Sequence, residues 1–317
     1  MTGSDNANIS SAQKLAREGR LADARALLEE AAMNGDGASG MLIGTLLLTG
    51  QPYGRDLGAA RRWFKAAAEA GNEEGVHAWI AFQANGTGGT RDWHGALGWL
   101  REHSPTQLQL IEAMALDADG ESVQEIVREA APELPEAAHF PNFLSGDECA
   151  FLIEGAQGAM QPSMVIDPRT GSFVADPIRR SDVAHFPLVS ESPFIHAINR
   201  RIARATGTNV SQGEPLQVLR YADGQEYRQH LDAIPNAENQ REFTFLIYLN
   251  EGYAGGETVF PNAGLTVRGK AGDAFLFRNT VDGDPDPVTA HIGKPVTEGV
   301  KYLASRWIRA RPLDLSL

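Results

Sequence analysis

Apolar and small residues recur along the first third of the chain with a period of 36 residues. Trp63 aligns with Trp99 one period downstream and Ala60 aligns with Ala96, while glycines recur between these positions. Small residues allow helices to approach closely, large apolar residues fill the space between them, and glycines end helices and form turns. The pattern therefore predicts stacked helix pairs, an α-solenoid, over about residues 10–105.

The back half of the chain has a different period. Its first part contains two helix signals: FLSGDECAFLIEGAQ, where Ser145 and Glu148 have the spacing of a capping box, and SPFIHAINRRIARATG. From Gln217 onward the period is two, in short runs rich in β-branched and aromatic residues: QVLRY, EFTFLIYLN, LTVRG, DAFLFRN and VKYLASRWIRA. Many short strands without intervening helices predict a sandwich or a jelly-roll barrel.

A junction separates these two patterns. The segment LDADGESVQEIVREAAPELPEAAHFP predicts an acidic turn and one amphipathic helix, and three prolines then suit a linker: Pro132, Pro135 and Pro141. We therefore predict an α+β multidomain chain with a helical repeat domain at 1–117, a linker at 118–137 and a jelly-roll domain at 138–317.

Composition and charge narrow the class of protein. Lys and Arg total 28 and Asp and Glu total 41, which gives a net charge of −13. A chain this acidic, without basic runs longer than two residues, should repel nucleic acid and anionic membranes. The polar start MTGSDNANISS lacks the apolar core of a signal peptide, and the longest apolar stretch is too short to span a bilayer. We expect a soluble, cytoplasmic protein with no nucleic-acid or membrane partner.

Candidate metal ligands lie between two of the predicted strands. His230 and Asp232 are two residues apart, so an extended backbone turns both side chains to one side. His291, at the start of the last predicted strands, is the natural third ligand. Two histidines and one carboxylate on one face of an octahedron are typical of non-haem Fe(II) oxygenases, in which the open positions take a co-substrate and dioxygen.

A predicted anion site accompanies these ligands. Lys301 shares one strand face with Leu303, Ser305 and Trp307, and a lysine directed into a barrel is costly unless it meets an anion. A dicarboxylate co-substrate would supply that anion. The hydroxyl groups of Tyr221 and Thr244, on neighbouring predicted strands, can bond to the same carboxylate.

Four segments together resemble the prolyl 4-hydroxylase branch of the Fe(II)/2-oxoglutarate dioxygenases: LRYADGQEYRQHLD, REFTFLIYLNEGYAGGETVFP, GDAFLFRN and HIGKPVTEGVKYLASRWI. The resemblance covers about residues 138–312 and implies a double-stranded β-helix, the jelly-roll of that family. It implies that iron is bound by His230, Asp232 and His291. It also implies Fe(II), 2-oxoglutarate and dioxygen as cofactor and co-substrates, with ascorbate as a reductant.

The same resemblance implies further roles around the iron. Lys301 would pair with the distal carboxylate of 2-oxoglutarate, with assistance from Tyr221 and Thr244. Tyr227 and Trp307 match aromatic positions near that pocket. Substrate contacts are expected in the family's mobile loop and the following strand, which here comprise residues 167–176 with Arg179 and Arg180. The segment TVDGDPDPVTAH before His291 is longer and more acidic than the family's pattern.

The front segment DLGAARRWFKAAAEAGN resembles the Sel1-like branch of the tetratricopeptide-type repeats. That resemblance implies a concave surface that holds partner proteins or peptides, and a helical cap that only stabilises the barrel is the alternative. Three functions stay open: a prolyl hydroxylase whose repeats present a protein substrate, the same chemistry on another residue or a small molecule, and a repeat adaptor with a non-catalytic or sensing barrel.

Overall fold

The computed structural model describes residues 5–134, 136–166 and 172–313. The chain divides into two compact units. The first contains the residues up to Val123 together with Pro187–Ile198, and the second contains Gln124–Phe186 and Asn199–Leu313. The domain limits drawn from the sequence at 117 and 138 stay predictions.

The first unit is helical. Its described residues before Val123 form seven helices: α1 (Asp5–Arg17), α2 (Leu21–Met33), α3 (Gly37–Thr49), α4 (Leu57–Glu69), α5 (Glu73–Asn85), α6 (Trp93–His103) and α7 (Pro105–Ala113). Helices α2, α4 and α6 begin 36 residues apart, and so do α3 and α5. The side chains of Asp36 and Asn72 cap α3 and α5 at equivalent positions. The sequence repeat is therefore a repeat of helix pairs.

Small residues on these helices leave room for large ones on their neighbours. Phe64 and Phe82 are fully buried, and their rings meet edge to face at 4.9 Å between centroids. A β-carbon at Gly44 would lie 2.6 Å from the ring of Phe64, so α3 requires glycine at this contact. The assignment of the helix pairs to the Sel1-like family stays a prediction.

The second unit is rich in antiparallel strands. The strands of its largest sheet are β1 (Glu129–Ala130), β2 (Ala138–Phe140), β3 (Gln161–Pro162), β6 (Asp182–Phe186), β7 (Leu216–Tyr221), β9 (Arg241–Tyr248), β13 (Ala274–Arg278) and β18 (Lys301–Arg309). Those of a smaller sheet are β8 (Tyr227–His230), β11 (Thr258–Phe260), β12 (Leu265–Val267) and β16 (His291–Gly293). The order across the large sheet is β1-β2-β13-β9-β18-β7-β6-β3, and the order across the smaller sheet is β12-β11-β16-β8.

Three short strand pairs complete the described strands: β4 (Met164–Ile166) with β5 (Phe173–Ala175), β10 (Ala254–Gly255) with β17 (Val296–Glu298), and β14 (Thr280–Val281) with β15 (Asp284–Pro285). Both predicted helices of this half are present, as α8 (Gly146–Gln157) and α9 (Pro193–Thr206). Ser145 and Glu148 form the expected capping box at the start of α8. The predicted α+β class is confirmed at this level.

The prediction of an amphipathic helix before Pro132 is wrong. Residues 129–130 instead form β1, which pairs antiparallel with β2 at the edge of the large sheet. Ala131 and Leu134 are buried in the core of the second unit. A helix this short is marginal without packing, and a proline disfavours helical backbone in the residue before it, so pairing with the sheet prevails.

None of the helices described in this chain combines the length and the apolar character that crossing a membrane requires.

Candidate active site

Three side chains with metal-binding atoms converge between the two sheets. His230 ends β8, His291 begins β16, and the two residues are directly paired in the smaller sheet. The Nε2 atoms of His230 and His291 lie 3.6 and 3.8 Å from the two carboxylate oxygens of Asp232. Donor atoms of the three side chains all lie within 4.8 Å of one another. The structure thus brings together the three predicted ligands.

A bulge in β8 directs His230 into the site. His291 pairs with His230 and Gly293 pairs with Tyr227, so β8 has one residue more than β16 between these pairs. The two residues inside the bulge, Arg228 and Gln229, are exposed, and the residues on both sides of it face the interior. Strict alternation along β8 would place Tyr227 and His230 on opposite faces.

Backbone hydrogen bonds fix the orientation of both imidazoles. Nδ1 of His230 donates to the carbonyl of Arg228 at 2.8 Å, and Nδ1 of His291 donates to that of Thr289 at 3.0 Å. With Nδ1 as the N–H of each ring, the lone pair of each Nε2 is the one that a metal ion would take. Burial lowers the pKa of His291 to about 4, so this imidazole is neutral at physiological pH.

The carboxylate of Asp232 is ionised despite its burial. Burial alone would raise its pKa, but His291, which is protonated in the acidic range where a carboxyl group titrates, holds that pKa well below its usual range together with His230 and the hydrogen bond from Thr244. The hydroxyl of Thr244 donates to Oδ2 at 2.7 Å. Two imidazole nitrogens and one carboxylate oxygen form the ligand set that suits Fe(II), so the side chains fit the expected metal.

A buried cation lies in the same cavity as the metal-binding cluster. Lys301 is 3% exposed, and its Nζ donates to the carbonyl of Gly256 at 2.6 Å. The ammonium lies 5.7 and 5.4 Å from the ring centres of Tyr221 and Tyr248. Burial lowers the pKa of Lys301 to about 8 and raises that of Tyr221 to about 12. A buried ammonium among tyrosine rings is a suitable partner for a carboxylate.

The cavity has two walls. The large sheet contributes alternate residues of β7 and β18 with one residue of β9: Gln217, Leu219, Tyr221, Leu246, Lys301, Leu303, Ser305 and Trp307. The smaller sheet and its surroundings contribute Arg179, Tyr227, His230, Asp232, Thr258, His291, Gly293 and Lys294. The strand face predicted for Lys301 and the three residues that alternate with it is therefore the cavity face.

Two predicted site residues lie elsewhere. Thr244 is fully buried and bonds to Asp232, but it is not among the described side chains that line the cavity. Its predicted contact with the co-substrate stays a prediction. Arg180 is largely exposed, and its Nη2 donates to the carbonyl of Gly224 and the carboxylate of Glu226. Within the predicted substrate loop, residues 167–171 lie outside the described residues.

Arg179, unlike its neighbour, lines the cavity. Its guanidinium lies 5.4 Å from the ring centre of Tyr227 and 3.6 Å from the carboxylate of Asp176. Tyr227 stacks in turn on the imidazole of His230 at 3.4 Å between centroids. The guanidinium of Arg179 and the rings of Tyr227 and His230 therefore form one stack, and His230 at its end belongs to the metal-binding cluster.

Several residues of the site were missed in the sequence, among them Gln217 and Asn279. Gln217 could have been found by alternation, because it lies on the same strand face as Tyr221. Asn279, whose amide bonds to Thr244 at 2.9 Å, follows the end of β13 and had no such signal.

Comparisons with known proteins agree with this geometry. A family model described as the 2OG-Fe(II) oxygenase superfamily matches residues 216–309. The probable prolyl 4-hydroxylase 10 of Arabidopsis thaliana is 36% identical over 200 residues, which cover 55% of this chain and 69% of that protein. Prolyl 4-hydroxylase 1 of the same plant is 33% identical over 240 residues, which cover 68% of this chain and 84% of that protein.

A solved structure shows a partial similarity. The viral collagen prolyl hydroxylase of Paramecium Bursaria Chlorella virus-1, in a complex with 2OG, is 29% identical, and the match covers 56% of this chain and 97% of that one with a TM-score of 0.45.

The antiparallel sheets and the His-Asp-His cluster are those of an Fe(II)- and 2-oxoglutarate-dependent oxygenase. Within that class, the chain belongs to the prolyl 4-hydroxylase family.

Proposed function

We propose that this protein hydroxylates a prolyl residue of a peptide or protein and releases succinate and carbon dioxide. One observation carries the proposal: the two histidines and Asp232 share a single cavity with the buried Lys301. The cavity therefore offers a site for Fe(II) and a cationic site for a dicarboxylate. We infer a prolyl substrate from the family, because its curated members are named as prolyl 4-hydroxylases.

Each side chain has a role that follows from its contacts. His230, Asp232 and His291 hold the iron, which when bound supplies the activation of dioxygen. Lys301 pairs with the distal carboxylate of 2-oxoglutarate, and Tyr221, whose ring centre lies 5.7 Å from the ammonium, assists it. The apolar side chains of Leu219, Leu246 and Leu303 keep water from the space between these sites. Ascorbate serves as the external reductant.

Arg179, Tyr227 and Trp307 supply the substrate side of the cavity. Trp307 lines the wall and carries the guanidinium of Arg241 at 3.5 Å from its ring centre. That guanidinium is held by the carboxylate of Glu214, at 2.7 and 2.9 Å. Rigid aromatic walls with one cation at the edge suit the ring and the flanking carbonyl groups of a prolyl peptide.

The helical unit recruits the protein substrate. Its support is a groove between α1, α3 and the start of α5, lined by partly exposed apolar residues that include Ile9, Met41 and Leu42. Thr45→Lys places a charge in this groove, whereas Ser10→Lys adds the same charge to an exposed position of α1. We expect Thr45→Lys to weaken turnover of a whole-protein substrate and to spare a short peptide. Equal behaviour of the two variants would favour a helical cap. A cytoplasmic location stays a prediction.

The experiment that tests the function uses a panel of proline-containing peptides and matched peptides with alanine at the proline. The protein is incubated with Fe(II), 2-oxoglutarate, ascorbate and air, and mass spectrometry detects the addition of one oxygen atom. Oxygen added only to the proline peptides supports a prolyl hydroxylase. Succinate release without any modified peptide would instead favour another residue or a small molecule as the substrate.

A further inference from the structure

A hydrogen-bonded chain of three buried side chains leads away from the metal-binding cluster. Asn279 and Thr244 are both fully buried. Nδ2 of Asn279 lies 2.9 Å from Oγ1 of Thr244, and that Oγ1 lies 2.7 Å from Oδ2 of Asp232. Asn279 itself does not line the cavity among the described residues, so it reaches Asp232 only through the threonine.

The direction of the chain follows from its donors and acceptors. An ionised carboxylate accepts hydrogen bonds and has no proton to donate, so the single hydroxyl proton of Thr244 is used on Asp232. Thr244 must therefore accept a hydrogen bond from Asn279, which requires the amide NH2 of Asn279 on that side. The alternative donation, from Thr244 to Oδ1 of Asn279, spans 3.3 Å and is the longer of the two.

The end of the hydrogen-bonded chain at Asn279 is held in place by backbone hydrogen bonds. The backbone N–H of Asn279 donates to the carbonyl of Glu242 at 2.8 Å, and its carbonyl accepts from the N–H of Asp286 at 2.9 Å. Asn279 lies between β13 and β14, so the backbone position from which its side-chain amide extends is fixed. The amide of Asn279, as a donor in a fixed position, orients the hydroxyl of Thr244. The oriented hydroxyl then donates its hydrogen bond to one carboxylate oxygen of Asp232, Oδ2. The oxygen nearer His230, Oδ1, then stays available to the metal.

We propose that Asn279 is a positioning residue for the metal-binding carboxylate and that it acts through Thr244. The inference rests on the proposed iron site and adds a residue outside the cavity to it. Outer partners of metal ligands typically change metal affinity by about 10- to 100-fold when they are removed. The affinity for the metal is therefore the quantity to measure, independently of turnover.

The experiment titrates the metal-free full chain anaerobically with Co(II), and visible absorption reports affinity and coordination. We expect Asn279→Ala and the similarly sized Asn279→Leu, neither of which carries a hydrogen-bond donor on its side chain, to bind Co(II) about 10- to 100-fold more weakly. Thr244→Val should lose a similar factor, whereas Thr244→Ser keeps the hydroxyl and should retain most of the affinity. Asn250→Ala is the matched control, since its amide bonds to Val300 and Tyr302 in the same unit, and it should bind Co(II) normally.

A double substitution separates this role from a general loss of structure. If Asn279 acts only through Thr244, Asn279→Ala should cause no further loss in the Thr244→Val protein. Losses that multiply would overturn the proposal, as would unchanged affinity in both folded Asn279 variants. If Asn279→Ala does not fold, the comparison uses Asn279→Leu. Failure of the unsubstituted protein to bind Co(II) and Fe(II) would reject the metal site itself, a result distinct from a failure of the Asn279 variants.

Discussion

Lys301 lies directly opposite Tyr221 where β18 pairs with β7, and its ammonium lies 5.7 Å from the centre of the tyrosine ring. The side chain is buried, and its nearest described hydrogen-bond acceptor is the carbonyl of Gly256. Burial of the positive charge costs stability when the co-substrate is absent. A residue that weakens the fold and yet lies in the cavity is expected to serve the ligand.

Lys301→Met should separate ligand binding from stability. The pKa of Lys301 falls from 10.5 to about 8 on folding, which corresponds to a cost of roughly 3 kcal/mol below that pH. We expect the free energy of unfolding to rise by up to about 3 kcal/mol in Lys301→Met. The affinity for 2-oxoglutarate should fall by roughly 100-fold or more, because a buried ion pair is lost. Chemical denaturation and calorimetry measure the two quantities, and unchanged 2-oxoglutarate affinity would reject the role.

The affinity for 2-oxoglutarate should also depend on pH. The folded protein holds the proton of Lys301 less tightly than the unfolded chain, so the charged form prevails below about pH 8 and the neutral form above it. Binding of a dicarboxylate requires the charged form. The dissociation constant should therefore be level below that pH and rise by about tenfold per pH unit above it. Lys301→Arg keeps its charge over this range, so a curve that stays as steep in this variant would argue against Lys301 as the titrating group.

Arg179 and Arg180 provide a test of substrate binding by adjacent residues of the same type. Arg179 lines the cavity, whereas Arg180 bonds to Gly224 and Glu226 outside it. Loss of a charged hydrogen-bond donor to the substrate costs about 1.5–3 kcal/mol, so Arg179→Gln should raise KM for a peptide roughly tenfold or more and change kcat little. Arg180→Gln should have a smaller effect on KM. Steady-state kinetics at saturating 2-oxoglutarate measure both, and equal effects would remove Arg179 from the substrate site.

Two glycines of the helical unit should respond in opposite ways to alanine. At Gly44 of α3 the added carbon would lie 2.6 Å from Phe64, and overpacking of this kind costs about 1–3 kcal/mol. At Gly98 of α6 no described atom outside the adjoining turns of its own helix lies within 4 Å of the added carbon, so the better helix propensity of alanine should stabilise the unit by about 0.5–1 kcal/mol. Thermal unfolding followed by circular dichroism distinguishes the two variants. Equal changes would contradict the packing described for α3.

Much of the architecture could be predicted because it depends on local and periodic signals. The segments with the 36-residue repeat form pairs of helices at the same spacing, and the alternating segments after Gln217 form antiparallel strands of the second unit. Lys301 and Trp307 line the cavity because alternation along β18 requires it. The spacing of His230 and Asp232 predicts that both side chains lie on one side of a strand, and the family resemblance implies His291 as the third ligand, which lies beside them in the structure.

What the sequence did not reveal depends on contacts between distant segments. The prediction of a helix before Pro132 was wrong because strand pairing at the edge of the sheet is more stable here than a short isolated helix. The bulge in β8 is a mismatch between two strands, so neither strand alone predicts it. The hydrogen bond from Thr244 to Asp232 joins two separate segments, so the strand face of Thr244 alone does not predict it. Asn279 follows a strand end, where no period applies.

The iron site is tested most directly by anaerobic reconstitution with Fe(II), followed by measurement of succinate from 2-oxoglutarate in air with a proline peptide. We expect succinate and oxidised peptide in similar amounts from the unsubstituted protein. We expect almost none from His230→Ala, although that variant should fold and retain its helical unit. Substantial succinate from folded His230→Ala, or an unsubstituted protein that binds no iron and turns over no co-substrate, would contradict the proposed iron site.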